Sequence, residues 1–121
     1  MISVTASSLQ PGNDPEHAVD GNPATRWAAS SREFPQWLEL KFKAPQKAKG
    51  VRIEFSNETV IKYQISSRKG DGAWHVVVDQ SKNNQSVQVV EHRLDAGFDQ
   101  LKVTVLDVKK GWATITDLEF L

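Results

Sequence analysis

The chain of 121 residues contains no cysteine. That excludes thiolate zinc sites, thiol nucleophiles and a disulfide framework. It carries no net charge, because 15 acidic residues balance 15 basic ones. A nucleic-acid-binding domain shows a basic excess or stripe. Here there are only Lys109-Lys110 and the scattered Lys41, Lys43, Lys47 and Lys49. Counterion release needs many clustered cations, so nucleic acid is not an expected partner. No apolar run approaches the length of a membrane span. Met1-Ile2-Ser3 leads straight into polar sequence, so no signal peptide is expected here. If the domain is secreted, the signal belongs to a longer parent chain.

Catalytic motifs are missing as well. There is no Gly-x-Ser-x-Gly elbow, no phosphate-cradling Gly-rich loop and no His-Glu-x-x-His. Paired carboxylates can hydrolyse glycosides only across a cleft. With 15 acids some pair is always available, so availability carries no weight. His17, His75 and His92 are far apart, and two of them sit in strand patterns, so a zinc triad is not expected. The expectation is a non-catalytic chain.

What is present is a period of two. Leu38, Leu40 and Phe42 alternate with Glu39 and Lys41; Val51, Ile53 and Phe55 alternate with Arg52 and Glu54. Tyr63 and Ile65, then Trp74, Val76 and Val78, then Val87 and Val89, then Leu101, Val103 and Val105 continue it, and Ile115, Leu118 and Phe120 close the chain. Such alternation marks strands with one buried face. Lys69-Gly70-Asp71-Gly72 is a hairpin signal, since Gly supplies positive φ at little cost. Only a short turn near Asp14 to Val19 reads as helical. The expectation is all-β: one domain over residues 1–121, an antiparallel jelly-roll-like β-sandwich of about eight strands. Trp27, Trp37 and Trp74 lie in or beside the alternation and are expected in the core.

Two loops stand out. Residues 18–27, Ala-Val-Asp-Gly-Asn-Pro-Ala-Thr-Arg-Trp, place Asp20, Asn22 and Thr25 on one tight turn. Such oxygen ligands suit a hard cation, with carbonyls and a distant carboxylate completing the set. The same segment is also simply a good turn. Spacing cannot choose the distant carboxylate: Glu119, Asp117, Glu91 and Asp14 compete. Trp112 follows Lys109-Lys110-Gly111 and so sits at a loop. There it suits either stacking on a sugar ring or capping one end of the sandwich.

Four stretches in order resemble the discoidin, or coagulation factor 5/8 C-terminal, domain. They are residues 18–27, Pro35-Gln36-Trp37-Leu38-Glu39-Leu40, Tyr63-Gln64-Ile65-Ser66-Ser67 with Asp71-Gly72-Ala73-Trp74, and residues 111–120. Bacterial members of this family include carbohydrate-binding module family 32. The resemblance implies a galactose-binding-domain-like sandwich, usually appended to an extracellular glycan-active enzyme. It implies a structural Ca²⁺ (or Na⁺) held by the His17 and Leu118 carbonyls and the side chains of Asp20, Asn22, Thr25 and Glu119. It aligns Trp112 with the family's stacking aromatic. Galactose-binding members carry a His and an aromatic after the Arg-Trp, and an Arg and Asn on a later loop. Here Ala28-Ala29-Ser30-Ser31 follow Trp27, and the later segment Ser56-Asn57-Glu58-Thr59-Val60 has no Arg. The expected function is a module that binds an oligo- or polysaccharide other than terminal galactose. Trp112 would stack on the sugar, and Arg32, Glu33, Asn57, Glu58 and Lys110 would supply hydrogen bonds. The competing readings are a domain that binds protein or membrane surfaces, with Phe34 as an exposed apolar spike, and a structural spacer.

Overall fold

The computed structural model describes residues 3–94 and 97–121; Met1 and Ile2 lie outside them. The strands are β1 (Ser3–Ala6), β2 (Trp27–Ala28), β3 (Gln36–Gln46), β4 (Gly50–Arg68), β5 (His75–Gln80), β6 (Ser86–Arg93), β7 (Phe98–Val108), β8 (Thr114–Ile115) and β9 (Asp117–Phe120). A 3₁₀ turn, Pro15–Val19, is the one helical segment among the described residues. All strand pairs are antiparallel. The all-β sandwich expected from the alternation is the observed architecture.

Strand β4 organises it. Its first half pairs with β6 and β9, and its second half pairs with β7 and β5. One sheet therefore runs β1-β3-β7-β4-β5, and the other is β9-β4-β6. The alternation predicts two strands here, split by a loop at residues 56–60. The structure instead has one strand of 19 residues that bends there. Register shifts against β6 between Glu54 and Thr59, and against β7 between Lys62 and Tyr63, make the bend. Extra residues at such bulges kink and twist a strand without ending it.

The inward row of β4 stays in phase through the bend. Val51, Ile53, Phe55, Ile61, Tyr63 and Ile65 are all buried. Leu38, Leu40, Leu101, Val103 and Val105 meet them from β3 and β7. Phe42, Phe98 and Phe120 cluster at one end with centroids 5.6 to 6.0 Å apart, in edge and tilted arrangements favoured by the ring quadrupoles. Trp27 is fully buried, and its indole N–H donates to the Ser8 carbonyl at 2.9 Å. Pairing of Trp27 with Ile115 joins the early loop to the chain's last segment.

Four expectations are corrected. Trp74 is not core: it lies half-buried, with the Arg68 guanidinium 4.8 Å and the Lys102 ammonium 4.3 Å from its ring centroid. Cations over the ring face make a partly wet indole stable there. Val76 is 54% exposed, because a register shift opposite Ile65 and Ser66 turns it out while Val78 stays in. Trp37 is half-buried rather than core, because it shares the face of Glu39 while Gln36 and Leu38 point in. Val89 is exposed, because the register shift between its pairing with Glu54 and that of Val87 with Thr59 breaks the alternation and Val90 packs inward instead.

Tyr63 meets His92 of β6 through a 2.6 Å hydrogen bond between its hydroxyl and Nε2. Burial pushes the phenol up to about 12 and holds the imidazole below its ordinary value of 6.5. The unfolded chain therefore binds a proton at His92 more readily than the folded one, and stability falls as pH drops below about 6.5. In His92→Gln, thermal melts between pH 7 and 5 should show a shallower loss of Tm than the parent; an unchanged slope would refute this assignment.

Candidate functional site

Strand β7 ends at Val108, and Lys109-Lys110-Gly111 turn the chain toward β8. Gly111 has φ +90°, a conformation that side-chain-bearing residues rarely adopt. Past it, Ala113, Thr114 and Ile115 return to the interior, which leaves Trp112 46% exposed at the apex. A Cβ on Gly111 would stand 3.3 Å from the Asn57 Nδ2, so the glycine also admits the amide at the bend of β4. The Lys109 N–H donates to the Val60 carbonyl at 3.0 Å and binds turn and bend together. Asn57, Lys110 and Trp112 line one small cleft floored by Phe55, Ile61 and Val108. Its volume is about 10 Å³, room for about one water, so most of the exposed Trp112 surface lies outside it.

Arg32 joins this cluster from the neighbouring loop: its Nη2 donates to the Val108 carbonyl at 2.6 Å. Glu33 and Glu58 are exposed on the adjoining segments. The Glu33 backbone is fixed by Ser31 Oγ at 3.2 Å and by Gln36 Nε2 at 2.6 Å. Among the described residues no hydrogen bond joins either carboxylate to Trp112, Asn57 or Lys110. Ala28 and Ala29 are fully buried, so the positions after Arg-Trp serve packing. Phe34 is half-buried against the core rather than projecting as a spike.

The early loop is knitted by its own oxygens. Asp20 Oδ2 accepts from the Thr25 hydroxyl at 2.6 Å, and Oδ1 accepts from the Asn22 N–H at 2.9 Å. Asn22 Oδ1 accepts from the Ala24 N–H at 2.9 Å. The Thr25 and Asn22 bonds hold the Asp20 carboxyl below its usual range. Each of these oxygens keeps a second lone pair, so the turn pre-positions hard donors as a cation would need them. The 3₁₀ turn with His17 packs against β9, where Leu118 lies. The His17 Nδ1 is buried and has no hydrogen-bond partner among the described residues.

The strand half of the donor set is arranged differently. Glu119 is half-exposed and faces Arg52 Nη1 at 3.4 Å, and no hydrogen bond or ion pair joins it to the early loop among the described residues. Arg52 also meets Asp117 at 3.7 Å and Glu54 at 3.6 Å. Asp117 is pushed up to about 6, first by burial and then by the hydrogen bond and charge of Glu119. The loop donors thus fit a hard cation, while Glu119 is engaged by Arg52.

The F5/8 type C domain family matches residues 3–118. A search of curated proteins found no match. Solved structures match over nearly the whole chain at low identity. The Clostridium perfringens module CpGH89CBM32-4, in complex with GlcNAc-α-1,4-galactose, superposes with a TM-score of 0.87 at 16% identity, covering 98% of this chain and 88% of that one. The family 32 module of C. perfringens NanJ, in complex with galactose, gives 0.84 at 22% identity over 98% and 91%. Chitosan-binding module 2 of a Paenibacillus chitosanase/glucanase, in complex with chitotriose, gives 0.86 at 20% identity over 98% and 94%. At these identities the likeness shows the fold.

Gly111→Ala should cost about 1–2 kcal/mol, from its positive φ and the displaced Asn57 amide. A urea melt should show a lower midpoint with an unchanged m-value. An unshifted midpoint would mean the turn is not constrained as described.

Proposed function

The chain belongs to the F5/8 type C domain family, and from that premise we propose that it is a non-catalytic carbohydrate-binding module. The observation that carries the reading is Trp112, 46% exposed at a loop apex and flanked by Asn57 and Lys110. An indole face set in a ring of amide, ammonium and guanidinium groups suits a pyranose: C–H groups meet the π face and hydroxyls meet the donors. Arg32, held on the Val108 carbonyl, would add a donor, and Glu33 and Glu58, next in sequence to Arg32 and Asn57, would add acceptors. Solved relatives of the same fold hold galactose, GlcNAc-α-1,4-galactose and chitotriose, which supports the ligand class. The buried Ala28-Ala29, in place of a His and an aromatic, favours a glycan other than terminal galactose. The half-buried Phe34 speaks against the membrane-surface reading.

One shallow platform binds weakly, on the order of 0.1–1 mM or about 4–5.5 kcal/mol. Tethering to an extracellular glycan-active enzyme, the context we propose, converts weak affinity into effective concentration at a polymer. The test is a glycan array read with the parent chain and Trp112→Ala. Binding that disappears in the variant supports the reading; an array left empty by the parent, with sedimentation on anionic liposomes, overturns it.

A structural Ca²⁺ completes the proposal. The His17 and Leu118 carbonyls, Asp20, Asn22 and Thr25 would hold it, with Glu119 contributing once released from Arg52. The ion supplies charge to bind the early loop to β9, and its role is stability rather than sugar contact. A chelator should lower the Tm of the parent and leave Asp20→Ala, already less stable, unmoved; a parent Tm indifferent to chelator sinks the metal assignment.

A further inference from the structure

Beside the Trp112 cleft lies a larger groove of about 510 Å³. Ligand sites fall in the range of about 300–1,000 Å³. Its walls come from distant parts of the chain: Asn13 ahead of the 3₁₀ turn, the 23–26 segment with Arg26, Glu54 and Ser56 at the bend of β4, Gln88 on β6, and Thr116. No aromatic or large aliphatic side chain lines it. An apolar ligand would leave these amides, hydroxyls and charges unpaired, at a cost for each. A ligand rich in hydroxyls pairs with all of them.

No residue lines both the groove and the cleft, but their walls are hydrogen-bonded to each other. The Ser56 N–H donates to Thr114 Oγ1 at 3.2 Å, and Thr114 lines the Trp112 cleft. Ser56 Oγ and Thr116 Oγ1 lie 2.9 Å apart, and Gln88 Nε2 reaches the Ser56 carbonyl at 3.5 Å. Two of the groove's ionic groups differ in their freedom. Glu54 is engaged by Arg52 at 3.6 Å. Arg26 is exposed and makes no hydrogen bond or ion pair within the described residues, so its planar fork is open to a vicinal diol.

Resting on the carbohydrate-binding reading, we propose that this groove is a second sugar subsite: it takes the residue next to the one stacked on Trp112, so that the module binds along an oligosaccharide rather than an isolated sugar. The division of labour follows from the volumes. The cleft at Trp112 has about 10 Å³, so the first sugar rests on a surface, whereas the groove has the space and the polar lining to enclose part of the second. Arg26 and Gln88 supply its donors.

The experiment is calorimetric titration of the whole chain with galactose, GlcNAc-α-1,4-galactose, glucosamine and chitotriose. It is repeated on Trp112→Ala, Arg26→Ala and Gln88→Ala, with circular dichroism checking the fold. The expected result is an oligosaccharide bound at least about tenfold more tightly than its monosaccharide. Arg26→Ala and Gln88→Ala should remove that gain and leave the monosaccharide unchanged, while Trp112→Ala weakens both. Amide NMR on the parent gives a readout that needs no variant: chitotriose should shift Ser56, Gln88 and Thr116, and glucosamine should not. Monosaccharide binding through Trp112 with no gain from length, or with no shift at those amides, overturns the subsite alone. No binding of any of these probes overturns the subsite as stated for them, while the carbohydrate-binding reading itself falls only with the empty glycan array.

Discussion

Both sheets of this protein are made by one strand. Strand β4 pairs on one side of its bend with β6 and β9, and on the other with β5 and β7. Its apolar row holds phase through the bend, so a single run of residues supplies the centre of both inner faces. A one-residue slip anywhere along it would invert the row and expose Phe55 or Tyr63 to water. The bulges that bend the strand are therefore under strong constraint, and they fix where the chain can carry polar groups. Ser56, Asn57 and Glu58 sit at the point where neither sheet claims them. The bend thus makes the fold and also presents the polar edge beside Trp112.

A second constraint closes the molecule. Trp27 and Ala28 pair with Ile115 and Thr114, bringing segments far apart in sequence to one place. Burial of a whole indole at that junction is worth several kcal/mol by area. Its consequence is local order on both sides. The Ala29 N–H donates to the Ala113 carbonyl at 2.9 Å, which sets the residue after Trp112 firmly in the interior. For the sugar platform proposed at Trp112, a firm backbone matters, because flexibility would add an ordering cost to a weak contact. Here the ordering is completed in the fold by the junction on one side and Gly111 on the other.

The periodic strands, the hairpin at Gly70 and the buried Trp27 were legible from alternation and turn chemistry alone. The bend of β4 was not, because Ser-Asn-Glu-Thr reads as a loop when its ladder partners are unseen. Trp74 was misplaced for a related reason. Alternation says which residues share a face, but not that Arg68 and Lys102 will cover an indole on the outer one. At the site, Trp112 and its glycine were readable from order in the chain, and so was the Asp20 turn. The polar groove was not, since Asn13, Arg26, Glu54, Gln88 and Thr116 have no spacing in common. The pairing of β4 with β6 and β9 gathers Glu54, Gln88 and Thr116, and the junction of β2 with β8 brings the early loop with Asn13 and Arg26 to them.

The early loop and the groove are parts of one device. Thr25 donates to Asp20 within the turn, and the same residue lines the groove with its neighbours Ala24 and Arg26. Whatever holds Asp20, Asn22 and Thr25 rigid therefore holds the groove's outer wall. In the loop itself that task falls to three short hydrogen bonds at a solvent-exposed turn, where water competes for each of them. A bound cation would replace these marginal contacts with strong ones, and it would do so at a distance from the sugar. Different atoms of one loop do different work: the Asp20, Asn22 and Thr25 side chains accept and donate within the turn, while the Arg26 side chain is exposed at the groove. Such an arrangement lets the exposed side chain at position 26 vary without disturbing the turn that carries it.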